Sequence, residues 1–278
     1  AFTLSVMTVV SCSSTKQAKK GAASASTEKE KSKDGMKPYD KVITKEAISD
    51  SGLFVVHKVD EDYFYEIPDS LFNREMLMVS RIAKTASGLG FGGGKANTEV
   101  LRWEKKDKKV LLRVVSHQIF AADSLPIHEA VTNSNFEPVL YAFDIKTINK
   151  DSTATVIQVN DLYTDDVQAL GIPGYYKEAY KVRNLDKGRS YIESLKSYPL
   201  NIEARHVKTY NAANPPSNES VGSITVEMNN SMVLLPKEPM ERRYFDERVG
   251  WFARGQVDYG LDAQESKTVR YLDRWRLE

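Results

Sequence analysis

One cysteine, Cys12, stands in 278 residues, so no internal disulfide can be built, and a Cys12 spent on a lipid anchor would leave no thiolate for a metal or a cysteine switch. Histidine is scarce as well: His57, His117, His128 and His206 are the four, and none stands at metal-ligand spacing from another. Charge of one sign is lacking, since 39 basic residues against 38 acidic ones leave a formal charge of +1. That balance excludes a broad basic field for nucleic acid and an acidic one for concentrating cations. No Gly-x-Ser-x-Gly elbow offers an activated serine, and no long amphipathic helix is written into the pattern.

What is present begins with Ala1 to Ser11, an uncharged stretch rich in Val, Leu, Phe and Met and too short to cross a bilayer as a helix. It resembles the apolar part of a signal peptide that has lost its Met and basic start. Val9-Val10-Ser11-Cys12 resembles the lipobox of bacterial lipoproteins, which makes residues 1–12 a truncated signal peptide and lipobox. A free thiol or an intermolecular bridge are the other fates open to Cys12, but a buried free cysteine fits poorly beside the polar tail that follows. Lipidation of Cys12 is the expectation, each buried methylene of its acyl chains contributing about 0.8 kcal/mol of anchoring. From Ser13 to Gly35 there is no aromatic residue and no Leu, Ile, Val or Met, so residues 13–36 read as a disordered, flexible tether reaching roughly 25 Å. The implied location is the cell envelope, as an outer-membrane lipoprotein. The first acidic residue after Cys12 is Glu28, which leaves the periplasmic and surface faces both open.

With 41% hydrophobic and 28% charged residues the remainder can bury a core, as one large domain or two smaller ones. Short β-branched and aromatic runs between turn signals predict a mainly β (α+β) protein: antiparallel sheets with a few short helices. Strands are expected at 53–59, 63–67 and 76–82, a hairpin from 100–104 and 110–117 with a lysine-rich tip, and a second from 139–148 and 153–159. Strands 202–210 and 221–228 should flank the loop Asn211 to Pro216, and short helices are expected over 126–133 and 161–170. At the end Val269, Tyr271, Trp275 and Leu277 alternate with charged residues, as in a strand that the sequence leaves unfinished. Residues 37–85 read as a small N-terminal domain and 86–278 as a β-rich domain cut short.

Gly88 to Lys95 matches the dinucleotide-loop glycines, but a strand rather than a helix follows, and Leu89 and Ala96 break the phosphate-loop pattern. His128-Glu129 opens like a zinc-protease motif, yet position 132 is Thr. The other histidines lie on expected strands, so no catalytic residue, cofactor site or metal site is assembled from this chain. Asp246, Glu247, Arg248, Trp251 and Phe252 belong to an eleven-residue stretch dense in charges and aromatics, which reads either as an interface or as a half-buried strand with salt-bridged edges. The triplets at Asp69, Asp123 and Asp151 resemble short O-glycosylation acceptors.

Several phrases in order resemble the N-terminal region of secreted zinc-dependent metallopeptidases of Bacteroides-like bacteria. They include Gly52 to Val59, Tyr65 to Pro68, Met78 to Ile82, Asn133 to Pro138, Met232 to Pro236, Asp246 to Phe252 and Arg274 to Glu278. The resemblance implies uncharacterised N-terminal domains ahead of a metzincin-like catalytic domain whose His-Glu-x-x-His-x-x-Gly-x-x-His motif is absent here. It implies that zinc and the general base belong to that missing domain, which becomes the expected partner, together with the membrane and a protein or peptide substrate. A latency role would need a carboxylate such as Asp246 in place of a cysteine. The alternative is an envelope binding lipoprotein that captures glycan or peptide on Tyr175, Tyr176, Trp251, Phe252 and Tyr259.

Overall fold

The computed structural model describes residues 36–217, 219–261 and 265–274; Cys12, the lipobox, the tether and the expected strand end at Trp275 to Leu277 lie outside them. The fold is mainly β, with antiparallel sheets and few short helices. In chain order the elements are α1 (Tyr39–Val42), β1 (Ile48–Ser51), β2 (Val55–Val59), β3 (Asp62–Pro68), β4 (Glu75–Lys84), β5 (Gly94–Lys106), β6 (Lys109–Val115) and β7 (Ile119–Phe120). There follow α2 (Ile127–Ser134), β8 (Val139–Ile148), β9 (Ala154–Gln158), α3 (Asn160–Thr164), α4 (Gly174–Ala179), β10 (Val182–Leu185) and β11 (Tyr191–Ser197). The last four are β12 (Asn201–Ala212), β13 (Ser223–Leu234), β14 (Ala253–Asp258) and β15 (Lys267–Leu272).

One sheet runs in the order β1-β2-β3-β9-β8-β6-β5-β4-β13-β12-β10, with β11 also paired to β12. It curls until its ends touch: the Leu53 N–H donates to the Tyr198 carbonyl at 2.7 Å, and the Ser197 hydroxyl to the Phe54 carbonyl at 2.7 Å. Gly52 makes that seam possible, because a Cβ there would lie 2.6 Å from both Ser197 Oγ and the Tyr198 carbonyl oxygen. The ladder also crosses the sequence boundary near residue 85. β3 pairs with β9, and β4 lies between β5 and β13, so residues 36–278 form one compact unit.

Alternation along each strand fills the inside of the curl. Ile202, Ala204, His206, Lys208, Tyr210 and Ala212 of β12 all point inward and are buried, as do Ile224, Val226, Met228, Asn230 and Met232 of β13. The main apolar cluster centres on Trp103, fully buried, with Phe54, Tyr65 and Phe143 rings 5.6–6.2 Å away or in contact with one another. A second cluster gathers Ile82, Leu89, Ile172, Tyr210, Ile224 and Met228. On the outer face of β3, Ile43 closes over Phe64 and Val156.

Most expected elements appear, several longer than their apolar runs: β5 reaches back to Gly94 and β13 on to Leu234. The lysine-rich tip is a turn with Asp107 at φ 52°. The expected helix over 161–170 is broken instead. It stops at Thr164, turns extended at Asp165, and resumes only as a 3-10 turn at Gln168–Leu170. Beyond that stop the chain is tied down by side chains from the sheet. Ser80 Oγ donates to Ala169 O at 2.7 Å, Asn97 Nδ2 to Gln168 O and Gly171 O at 3.1 Å each, and Lys208 Nζ to Asp165 O. The two-residue β7 and the short, charged β10 and β14 are strands that periodicity did not announce.

Candidate functional site

A small second sheet, β15-β14-β7, carries the surface with most chemistry on display. β7 lies parallel to β14, and β15 antiparallel to it, with Tyr244 bridged to Tyr271 on the outer side of β15. Register puts Arg254 opposite Tyr271, Gln256 opposite Val269 and Asp258 opposite both Lys267 and Phe120, so these side chains share one face. Across it lies Arg242, its guanidinium 5.0 Å from the Phe120 ring and 5.1 Å from the Tyr271 ring. Arg242 Nη1 donates to Gln256 Oε1 at 3.0 Å, Arg254 Nε to the Asp273 carboxylate at 2.9 Å, and Arg274 to the Glu241 carbonyl. These residues and Arg243 line a cleft of about 230 Å³.

The five residues expected as an interface are all on this part of the chain, but not as a strand. Asp246 is held by Arg248, whose Nε lies 2.9 Å from Oδ1, and this pairing holds the carboxyl below its ordinary range. Glu247 is exposed. Trp251 is 52% exposed and Phe252 78%, edge to face at 5.8 Å. The indole N–H is already given to the Asp273 carbonyl at 2.7 Å, so Trp251 offers solvent an apolar ring alone. Tyr244 and Val249 extend the exposed apolar surface.

A larger cavity, about 380 Å³, opens between β5, β6, α2 and β7. Its charges are mutually satisfied: Arg113 pairs with Glu104 and donates to the Glu137 carbonyl at 2.8 Å, while Arg102 pairs with Glu137. His128 lies in its wall with Nδ1 3.0 Å from the Ala121 carbonyl and Nε2 near the Thr132 hydroxyl, a helix-surface histidine in hydrogen bonds.

Inside the curl, a polar band separates the two apolar clusters. His206 Nε2 meets the Asn230 side-chain oxygen, Asn230 Nδ2 donates to Ser80 Oγ at 2.6 Å, and Ser80 passes on to Ala169 O. Burial pushes the His206 imidazole down to about 3 and the Lys208 amine down to about 7; Asp166 opposes the Lys208 shift and Lys177 adds to it. Sequence reasoning missed Lys208 altogether. The signal was available, since a strict alternation through β12 places it between His206 and Tyr210 on the inward face.

The remaining candidates disperse. Gly88, Gly90 and Gly93 have φ of 81°, 96° and 89° in a loop leading into β5, as strand connections rather than a helix-capped phosphate loop. His57 sits between Ser49 Oγ at 2.7 Å and Glu66 at 3.1 Å, and His117 lies just past β6 at 2.9 Å from Glu75. Tyr175 and Tyr176, 4.4 Å apart, belong to α4 against β10, a different element from Trp251, Phe252 and Tyr259. Among the described residues no group of three or more His, Cys, Asp or Glu side chains is placed to hold a metal ion.

Known proteins give the chain a family. No curated protein and no solved structure matches it. Residues 36–85 match the family described as Domain of unknown function (DUF5118), and residues 93–278 match Domain of unknown function (DUF5117). The second match covers most of the chain and takes in β5 to β15, including the small sheet and its cleft, so the chain belongs to the DUF5117 family.

Proposed function

We propose that this chain is a non-catalytic portion of a lipid-anchored, zinc-dependent metallopeptidase, and that its small C-terminal sheet seats against the catalytic domain. The observation carrying the reading is the exposed apolar set Tyr244, Val249, Trp251 and Phe252, packed into nine residues beside β14 and β15. Large aromatic side chains left in water are what buried interface centres are made of. The peptidase part of the reading is supported by the resemblance of Asp246 to Phe252 and of the other phrases to that family's N-terminal region. Catalysis is assigned elsewhere in the gene product.

The test is to express that gene product from its own start codon to its own stop codon and assay proteolysis with and without a chelator. Chelator-sensitive activity restored by zinc is expected; none at all would sink the reading. Trp251→Ala with Phe252→Ala should lower the activity by about tenfold, the equivalent of losing about 1.4 kcal/mol of docking.

A further inference from the structure

Four arginines, Arg242, Arg243, Arg254 and Arg274, line the 230 Å³ cleft on the small sheet, against two carboxylates, Glu241 and Asp273. That leaves the cleft a local excess of two positive charges in a chain whose whole formal charge is +1. No lysine lines the cleft, so the positive groups are all planar forks, the geometry that grips an oxyanion bidentately.

The forks are also positioned before any ligand arrives. Arg242 is clamped between the Phe120 and Tyr271 rings and uses one nitrogen on Gln256. Arg254 is steadied through Nε by Asp273, which leaves its two terminal nitrogens unused in that contact, and Arg274 is fixed on the Glu241 carbonyl. Arg243 is exposed and its side chain has no partner among the described residues. Each guanidinium carries about five N–H donors, and the contacts among the described residues engage one nitrogen each of Arg242, Arg254 and Arg274.

We propose that this cleft binds a phosphomonoester, whose charge of about −2 near neutral pH matches the excess of two arginines over carboxylates. A single carboxylate would leave one positive charge unmet. The phosphate could arrive on a soluble ligand or on a membrane headgroup. The inference rests on the arginine edges and not on the exposed Tyr244, Val249, Trp251 and Phe252 that carry the docking reading.

Calorimetry of the full chain with inorganic phosphate and with glycerol 3-phosphate tests the soluble source, and co-sedimentation with phosphatidylcholine vesicles containing phosphatidic acid tests the headgroup. Binding in either arm is expected, with acetate and phosphatidylcholine-only vesicles inert. Arg243→Gln, which removes no side-chain hydrogen bond or ion pair among the described residues, should weaken the bound arm at least fivefold, and Arg254→Gln at least tenfold. Arg183→Gln, an exposed arginine on β10, controls for net charge and should change nothing. Saturable binding to soluble phosphate without vesicle binding assigns a soluble ligand, and the reverse assigns a headgroup. Silence in both arms overturns the proposal, as does binding that Arg243→Gln and Arg254→Gln leave intact or that Arg183→Gln weakens equally.

Discussion

Lys208 is a cation at a position where strand alternation calls for an apolar side chain, and its amine is turned onto the Asp165 carbonyl of the segment crossing above it. The nearest charges belong to Asp166 and Lys177, with opposite effects, so desolvation dominates and the amine falls to about 7. The consequence for stability has a definite sign. Between that value and the ordinary lysine range of about 10.4, the unfolded chain binds a proton that the folded chain does not, so stability rises with pH across this window and is flat below it. His206 acts lower down: its contribution is complete above about 6.5 and is lost as pH falls toward about 3. Urea unfolding at about pH 7 and about pH 9 should show the wild-type chain gaining up to about 1.4 kcal/mol per pH unit from Lys208, and Lys208→Met losing that gain. Equal slopes in the two proteins would remove Lys208 from the account.

At the scale of elements, the segment 160–174 decides how the core closes. Its pattern reads as a helix ending at Gly171, and α3 is indeed helical, but past Thr164 side chains of β4, β5 and β12 tie down the carbonyls of Asp165, Gln168, Ala169 and Gly171. Local sequence does not carry that information, because the donors Ser80, Asn97 and Lys208 stand 43 to 89 positions away. The long hairpins were legible, since their alternation and charged tips are local; β10 and β14 were not, because Val182-Arg183-Asn184-Leu185 and Ala253 to Asp258 have too few apolar residues to alternate. Gly171 tests how tightly the segment is seated. A Cβ there would come 2.6 Å from the Tyr210 hydroxyl oxygen, so Gly171→Ala should lose about 1–3 kcal/mol by urea unfolding. Most of that loss should disappear in a Tyr210→Phe background, where the clashing oxygen is gone. A loss that persists undiminished would place the strain elsewhere.

For the whole molecule, the curl of the sheet matters more than any boundary in the sequence. Strands from the region matching DUF5118 and from the region matching DUF5117 alternate in one ladder, and Trp103 of the second packs on Phe54 and Tyr65 of the first. Residues 93–278 expressed alone should therefore lack the cooperative unfolding transition of the full chain, and co-expression with residues 36–92 should restore it; a sharp transition in the shorter piece would argue for separable cores. The mainly β class was readable from composition and periodicity. The cleft was not, because Arg242, Arg254 and Arg274 come together only across the β14–β15 pairing, and Phe120, which holds Arg242 from one side, belongs to β7, 138 positions before its partner Asp258. The aromatic segment around Trp251 was visible in the sequence, and its exposure is what makes a docking role the central claim. Hydroxyl-radical footprinting of the whole gene product tests that claim most directly, with Phe91 and Tyr175, 94% and 62% exposed, as internal references. The account predicts that Trp251 and Phe252 are protected well below both references; labelling of Trp251 and Phe252 at the rate of Phe91 would contradict it.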